Sequence, residues 1–330
     1  MKQRTLGKSG LEVPVVSFGA WAIGGSMWGG TDDGAAIRAI QAAIDLGITC
    51  IDTAAIYGMG HSEGIVGKAI AGRRDKVIVA TKCGLRWNLT DGEHFFDSKT
   101  PEGVPCTIYR NLKPDSIKYE CEQSLKRLGV DVIDLYQCHW PDSTTPIADT
   151  MGALVELKEE GKIRAIGVSN FTVDMLEECL KHAPLASDQP KYNPLEREIE
   201  KDVLPFCVEH EVGILTYSPM AMGLMTGKVT LDREFKGDDT RKNRPWFSKE
   251  NRKRVLDLLA KIQPIADGHN ATLAQVTLNW VMSQQGVTTV LAGARNEEQV
   301  RDNVKAADFE LTAEEIATIR TLVEELGGPE

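Results

Sequence analysis

The chemistry this chain could carry is concentrated in four side chains. Asp52 closes the apolar run 48–52, Tyr57 follows it by five residues, Lys82 closes the run 77–82, and His139 stands directly after the run 132–138. An aldehyde or ketone that accepts hydride needs a proton at its oxygen. A phenol with a pKa of about 10 is too weak an acid near neutrality unless its anion is stabilised. A lysine ammonium beside the phenol supplies that stabilisation, and an aspartate keeps the lysine charged, because a partly buried ammonium without a partner is expensive. A histidine hydrogen-bonded to the carbonyl oxygen fixes its orientation. Each residue also has a plainer use: Asp52 as a cap, Tyr57 as a rim aromatic, Lys82 as a surface charge or a Schiff-base nucleophile, His139 as a structural imidazole. Singly these are the commoner roles. The four together make an acid-and-positioning set that requires no metal.

Such a set works only if separate elements deliver it to one rim. Residues 2–16, with Gly7 and Gly10, read as a β-hairpin. Strand-like and helix-like patterns then alternate. The strands are 15–19, 48–52, 77–82, 132–138, 163–168, 185–189, 212–217 and 287–291. The helices are 32–46, a segment opening at Ser62, 114–128, 147–160, 173–181, 199–210, 250–267, 273–283, 297–305 and 312–325. Ile37, Ile40 and Ile44 recur at helical spacing before Gly47, and Pro114 and Gly129 bracket the third helix. Eight strands alternating with helices predict an α/β fold, a closed parallel (β/α)8 TIM barrel in one domain spanning 1–330. The C-terminal ends of barrel strands form the face that carries active sites. Two connections on that face, 84–113 and 220–249 after the third and seventh strands, are too long for turns and read as lids or walls.

The 42% hydrophobic and 26% charged residues are those of an ordinary globular protein, and no apolar run is long enough to cross a bilayer. The start lacks the apolar stretch of a signal peptide, so a cytoplasmic protein without a membrane partner is expected. A net charge of -10 disfavours nucleic acid, and the one basic run, Arg241-Lys242-Asn243-Arg244, suits at most a small phosphate. Seven scattered cysteines without a CxxC pair read as reduced thiols, not as a disulfide framework or a zinc site.

The series Asp52-Thr53-Ala54-Ala55-Ile56-Tyr57-Gly58-Met59-Gly60-His61-Ser62-Glu63, Thr81-Lys82, Asp134-Leu135-Tyr136-Gln137-Cys138-His139 and Gly161-Lys162-Ile163-Arg164-Ala165-Ile166-Gly167-Val168-Ser169-Asn170-Phe171 resembles the aldo-keto reductases, in order and over essentially the whole chain. The resemblance implies a barrel that binds a nicotinamide cofactor without a Rossmann domain, with Asp52, Tyr57, Lys82 and His139 in the catalytic positions. It also implies that Ser169, Asn170 and Gln189 hold the nicotinamide amide and that Tyr217 stacks on its ring. Ser218, Pro219, Met220, Ala221 and Lys228 look like the pyrophosphate segment, while Ser169 and Asn170 also read as a helix cap. Ala20, Trp21, Asp52 and Arg241 belong to the same expected cofactor set. Gly293, Arg295, Gln299, Asp302 and Asn303 resemble the adenosine-phosphate site. Spacings of four put Gln299 and Asn303 on one helix face, with Gly293 and Arg295 at the N-terminal end, where an anion is favoured. The planar fork of Arg295 suits a ribose 2′-phosphate, which points to NADPH before NADH.

Residues 19–32 further resemble a bacterial subgroup that includes general-stress reductases. The stretch 91–109 departs from that pattern and places His94, Phe95, Phe96 and Tyr109 near Trp21, Trp28, Trp87 and Trp140 at the expected substrate mouth. Aromatic walls suit an aromatic aldehyde or the apolar face of a sugar. The expected function is an NADPH-dependent carbonyl reductase, reversible to alcohol oxidation. The alternatives are a cofactor-sensing subunit, since potassium-channel β-subunits resemble the family too, and a Schiff-base aldolase using Lys82. His139 disfavours the first, and the 293–303 segment is unexplained by the second.

Overall fold

The computed structural model describes residues 1–330. The chain opens with an antiparallel hairpin, β1 (Gln3–Thr5) and β2 (Glu12–Pro14). It continues through β3 (Val16–Gly19), α1 (Asp33–Asp45), β4 (Cys50–Asp52), α2 (His61–Ile70), β5 (Ile78–Cys83), β6 (Leu85–Arg86), β7 (Glu93–Lys99), β8 (Pro105–Arg110) and α3 (Pro114–Leu128). Next come β9 (Ile133–Cys138), α4 (Ile147–Glu159), β10 (Ile163–Val168), α5 (Val173–His182), β11 (Ser187–Asp188), α6 (Val203–Glu209) and β12 (Gly213–Thr216). The last elements are α7 (Lys249–Gly268), α8 (Leu273–Met282), β13 (Val287–Gly293), α9 (Glu297–Val304) and α10 (Ala313–Leu326).

Eight of these strands close into a parallel barrel in the order β3-β4-β5-β9-β10-β11-β12-β13 and back to β3. The closed (β/α)8 barrel with its N-terminal hairpin is the fold that the alternation of patterns predicts. Strand side chains alternate between the two faces. Leu135, Ala165, Leu215 and Leu291 pack inside with Leu6 and Val13 of the hairpin region, which cover the end opposite the site. The outer faces, such as Val79, Tyr136 and Ile166, join α1, α4 and α8 in the large core.

Helix limits follow local chemistry. Asp32 caps α1 by accepting from the Ala35 N–H, and Gly129 ends α3 at φ 64°, a conformation that costs glycine little. Helix α6 is shorter than the expected 199–210. Asp202 accepts from Val203 N and starts the helix afresh after a 3-10 turn at Glu198–Glu200. Strand β11 is two residues long against an expected five, so Gln189 lies just beyond it.

The connection after the third barrel strand is the main departure. It forms a three-stranded antiparallel sheet, β6-β8-β7, and not an open loop. Tyr109 pairs with both Arg86 and His94 in the register of that sheet. The connection after β12 is a chain of 3-10 turns at Ala221–Thr226, Thr240–Asn243 and Pro245–Phe247.

Candidate active site

The parallel register brings Asp52, Lys82 and His139 to one end of neighbouring strands, with Asp52 paired to Ala80 and Lys82 to Gln137. Tyr57 lies on the turn after β4. That turn requires Gly58, which has φ +61° and would bring a Cβ within 2.3 Å of the Gly24 carbonyl oxygen. The Lys82 ammonium has three donors and three acceptors: Asp52 Oδ2 at 2.6 Å, the Thr53 carbonyl at 2.8 Å and the Tyr57 hydroxyl oxygen at 3.3 Å. Lys82 is 1% and Asp52 2% exposed, so the ion pair lies out of water. Because the Tyr57 oxygen accepts from Lys82, its own proton is free to point elsewhere. The His139 ring stands edge-on to the Tyr57 ring at 5.6 Å, and Trp21 stacks on Tyr57 at 6.2 Å.

Burial sets the protonation states. It pushes the Tyr57 phenol well above its ordinary range, and the nearby Asp52 charge adds to the rise. Burial lowers Lys82, opposed by the charge and hydrogen bond of Asp52. His139 is held well below the usual histidine range by burial and then by the Lys82 charge, so its imidazole is neutral at pH 7. The other Asp52 oxygen accepts from Gln189 Nε2 at 2.8 Å and Gln137 Nε2 at 3.3 Å. Gln137 is not among the residues that the sequence singles out. Its two-residue spacing from His139, which puts both on one strand face, was the signal available.

Two cavities meet at Tyr57. One, about 620 Å³, is lined by Tyr57, His139, Trp140, Phe95, Phe96 and Trp246 among others. The other, about 450 Å³, runs over Asp52 and Tyr57 to Arg295, Gln299, Asp302 and Asn303. Trp21, Tyr57, Tyr217, Ser218 and Met222 line both. Asn170, at φ 64°, accepts from the Tyr217 hydroxyl at 2.9 Å and donates to the His139 carbonyl at 3.2 Å. Ser169 donates to the Gln189 carbonyl at 2.6 Å. Neither caps α5, whose N-cap residue is Thr172.

The aldo/keto reductase family matches residues 15–324. The chain belongs to the aldo/keto reductase family. The aldo-keto reductase YhdN of Bacillus subtilis is 39% identical, over 98% of this chain and 94% of that protein. The NADH-specific methylglyoxal reductase of Escherichia coli is also 39% identical, over 99% of each chain. Among solved structures, that of the glycerol dehydrogenase AKR11B4 from Gluconobacter oxydans superposes with a TM-score of 0.88 at 39% identity, over 99% of this chain and 96% of that one. Membership makes this chain an oxidoreductase of the carbonyl/alcohol class.

The expected site residues of this reductase divide between the cavities. Asp52, Trp21, Tyr217, Ser218, Pro219, Met220, Lys228, Arg241, Gly293, Arg295, Gln299, Asp302 and Asn303 line the second cavity. Ser169, Asn170, Gln189 and Ala221 line the first. Ala20 lines neither; it is fully buried, and its backbone donates to the Asp52 carbonyl and accepts from Ser62. Four further residues expected at the substrate mouth lie elsewhere. Trp28 faces the second cavity, its ring 4.9 Å from the Arg241 guanidinium and 5.5 Å from that of Arg295. Trp87 lines neither cavity, because β6 turns away after Gly84 to pair with β8. His94 and Tyr109 also stay outside: they pair with each other across the added sheet, and the register shift between His94 and Phe96 lets both Phe95 and Phe96 line the cavity while His94 stays in solvent.

The second cavity is lined by groups that could hold an anionic cofactor. Arg295 is lowered by burial and then by repulsion from Arg241 and Arg233, with Asp239 opposing, so guanidinium groups are crowded there. Arg241 is neutralised by Asp239 at 2.6 Å and Lys228 faces Asp302 at 3.6 Å, while Arg295 has only neutral partners, including the Trp28 carbonyl at 2.7 Å. The indole N–H of Trp28 is buried without an acceptor. Crowded cations and an orphaned donor suit an incoming phosphate.

Proposed function

We infer that this single-domain protein is a cytoplasmic, NADPH-dependent reductase of aldehydes or ketones. The observation that carries the reading is that Tyr57, tied to Lys82 and Asp52, stands at the junction of the two cavities. A nicotinamide dinucleotide held along the second cavity, its nicotinamide end at the junction with the first, would supply the hydride. Asn170, Ser169 and Gln189 fit its amide, Tyr217 its ring, and Arg295 with Gln299 its 2′-phosphate. A carbonyl oxygen in the first cavity takes its proton from Tyr57. Lys82 stabilises the developing phenolate at hydrogen-bond distance, and Asp52 holds Lys82 in place. Neutral His139 donates to the same oxygen and orients it.

Two glutamine amides keep Asp52 aligned without taking its charge. In the reverse direction the same residues accept the proton of an alcohol. All three Lys82 donors are engaged, which leaves no free amine for a Schiff base and disfavours the aldolase alternative. NADPH is favoured by the guanidinium cluster around Arg295, although one relative is NADH-specific by name.

The test is tryptophan-fluorescence titration with NADPH and NADH, followed by aldehydes and hydroxyketones in the same cuvette. Tight NADPH binding followed by its oxidation is expected. Binding without turnover on any carbonyl selects the cofactor-sensing alternative, and binding of neither cofactor removes the reading.

A further inference from the structure

The basic run 241–244 divides between the two cavities. Arg241 turns to the second cavity and is held there by both Asp239 oxygens. Arg244 lines only the first. Three other side chains there carry or acquire charge: Lys191, whose ammonium is bound to Glu196 at 2.6 Å, Glu196 itself, and His139, which is neutral. Arg244 has no hydrogen-bond or ion-pair partner for its guanidinium, which leaves the substrate cavity with one uncompensated positive charge.

Its backbone is fixed all the same. Arg244 N donates to Arg241 O at 3.1 Å, and Phe247 N donates to Arg244 O at 2.9 Å. Pro245 follows, its carbonyl accepting from Asn251 at 2.9 Å, and Phe247 is buried. The guanidinium therefore projects from an ordered turn beside Trp246 and not from a free strand. Its charge reaches the inner end of the cavity: burial raises the Tyr217 phenol, and Arg244 is the cation that opposes the rise.

We propose that Arg244 is a specificity residue for carbonyl substrates that carry an anionic group, a carboxylate or a phosphate monoester, at the end remote from the reacting carbon. This rests on the reductase reading above. The aromatic wall of Phe95, Phe96 and Trp140 lies along the body of such a substrate, the carbonyl meets Tyr57 and His139, and the anion is paired by the planar guanidinium at the mouth. A neutral carbonyl fills the same walls but leaves Arg244 in water. In a protein with net charge -10, a local cation at the mouth also gives an anionic substrate a favourable approach.

The experiment compares matched pairs under saturating cofactor. One pair is 4-carboxybenzaldehyde and methyl 4-formylbenzoate, and the other is glyceraldehyde 3-phosphate and glyceraldehyde. For wild type, Arg244→Met, Arg244→Lys and the charge control Lys249→Met, the quotient of kcat/KM for the anionic over the neutral member is measured at low and high salt. In at least one pair Arg244→Met should lower the quotient by about fivefold, chiefly through KM. Arg244→Lys should keep part of it, Lys249→Met all of it, and high salt should shrink it in wild type. The pair that responds identifies the anion as carboxylate or phosphate. A quotient that Arg244→Met leaves unchanged in both pairs overturns the proposal while the reductase reading stands. Cofactor oxidation by none of the four carbonyls in wild type removes that reading and the proposal with it.

Discussion

The two cavities that share Tyr57 are built on different terms. On the cofactor side, strand ends, α9 and the connection after β12 supply residues whose charges and hydrogen bonds are mostly spoken for: Arg241 by Asp239, Lys228 by Asp302, Gln299 Oε1 by the Arg295 N–H at 2.8 Å. On the substrate side, the walls come from the added sheet and from 3-10 turns, and the one unpaired cation is Arg244. A cofactor common to a family constrains its side residue by residue. A substrate constrains only shape and a few polar positions, so that side alone takes in the added sheet β6-β8-β7, and inserted connections are the parts of a barrel most free to vary.

The sharpest break between the sides should come from Tyr57→Phe. Removing one hydroxyl leaves Lys82 its bonds to Asp52 and Thr53 and should cut kcat for carbonyl reduction by about 10²–10⁴, with cofactor affinity within about twofold by fluorescence titration. Full activity in that variant would remove the phenol as the acid. Next in size, Arg295→Ala should weaken NADPH by roughly 10–100-fold and NADH far less, since only the former loses a charge-assisted contact. Equal losses for both cofactors would place the 2′-phosphate elsewhere.

Trp140→Ala touches the other side alone. It removes a ring 5.4 Å from Phe95 and should raise KM for an aromatic aldehyde several-fold, on the order of 3–10-fold, with cofactor Kd unchanged in the same preparation. A matched change in Kd would mean the two cavities are mechanically one.

The smallest effect concerns pH. With His139 held well below the ordinary histidine range and Tyr57 well above the ordinary phenol range, neither group changes charge in the free enzyme across neutrality. The kcat/KM for reduction should stay within about twofold from pH 6.5 to 8. A histidine at its ordinary pKa of about 6.5 would instead change the rate across that window. On the alkaline side the sign is fixed by Lys82. Its lowered pKa means that the ammonium, and with it the stabilised phenolate, is lost before pH 10.5, so the rate falls as pH rises. A rise there would contradict the proposed role of Lys82.

Periodicity and short-range chemistry were enough to reach the barrel, the hairpin and the four-residue constellation, because apolar alternation places strands and each catalytic candidate closes one or follows it within five residues. The limits of α1 and α3 were legible in Asp32, Pro114 and Gly129 for the same local reason. Decisions that depend on what lies across space were not legible. The added sheet is a pairing of β7 with β8, and which of His94 and Phe95 faces the cavity is set by that register. Trp28 belongs to the cofactor side only because two distant arginines, Arg241 and Arg295, converge on it. Gln137 acquires its role from Asp52, and Arg244 stands without a partner in a cavity whose one acid, Glu196, is bound to Lys191. The sequence by itself determined which groups could do the chemistry and that strands would deliver them to one rim, since both depend on residues close in the chain. The tertiary structure alone decided which cavity each group serves, because that depends on neighbours tens to hundreds of residues away, even where the charge pairs themselves, Arg241 with Asp239 and Lys191 with Glu196, are local in the chain.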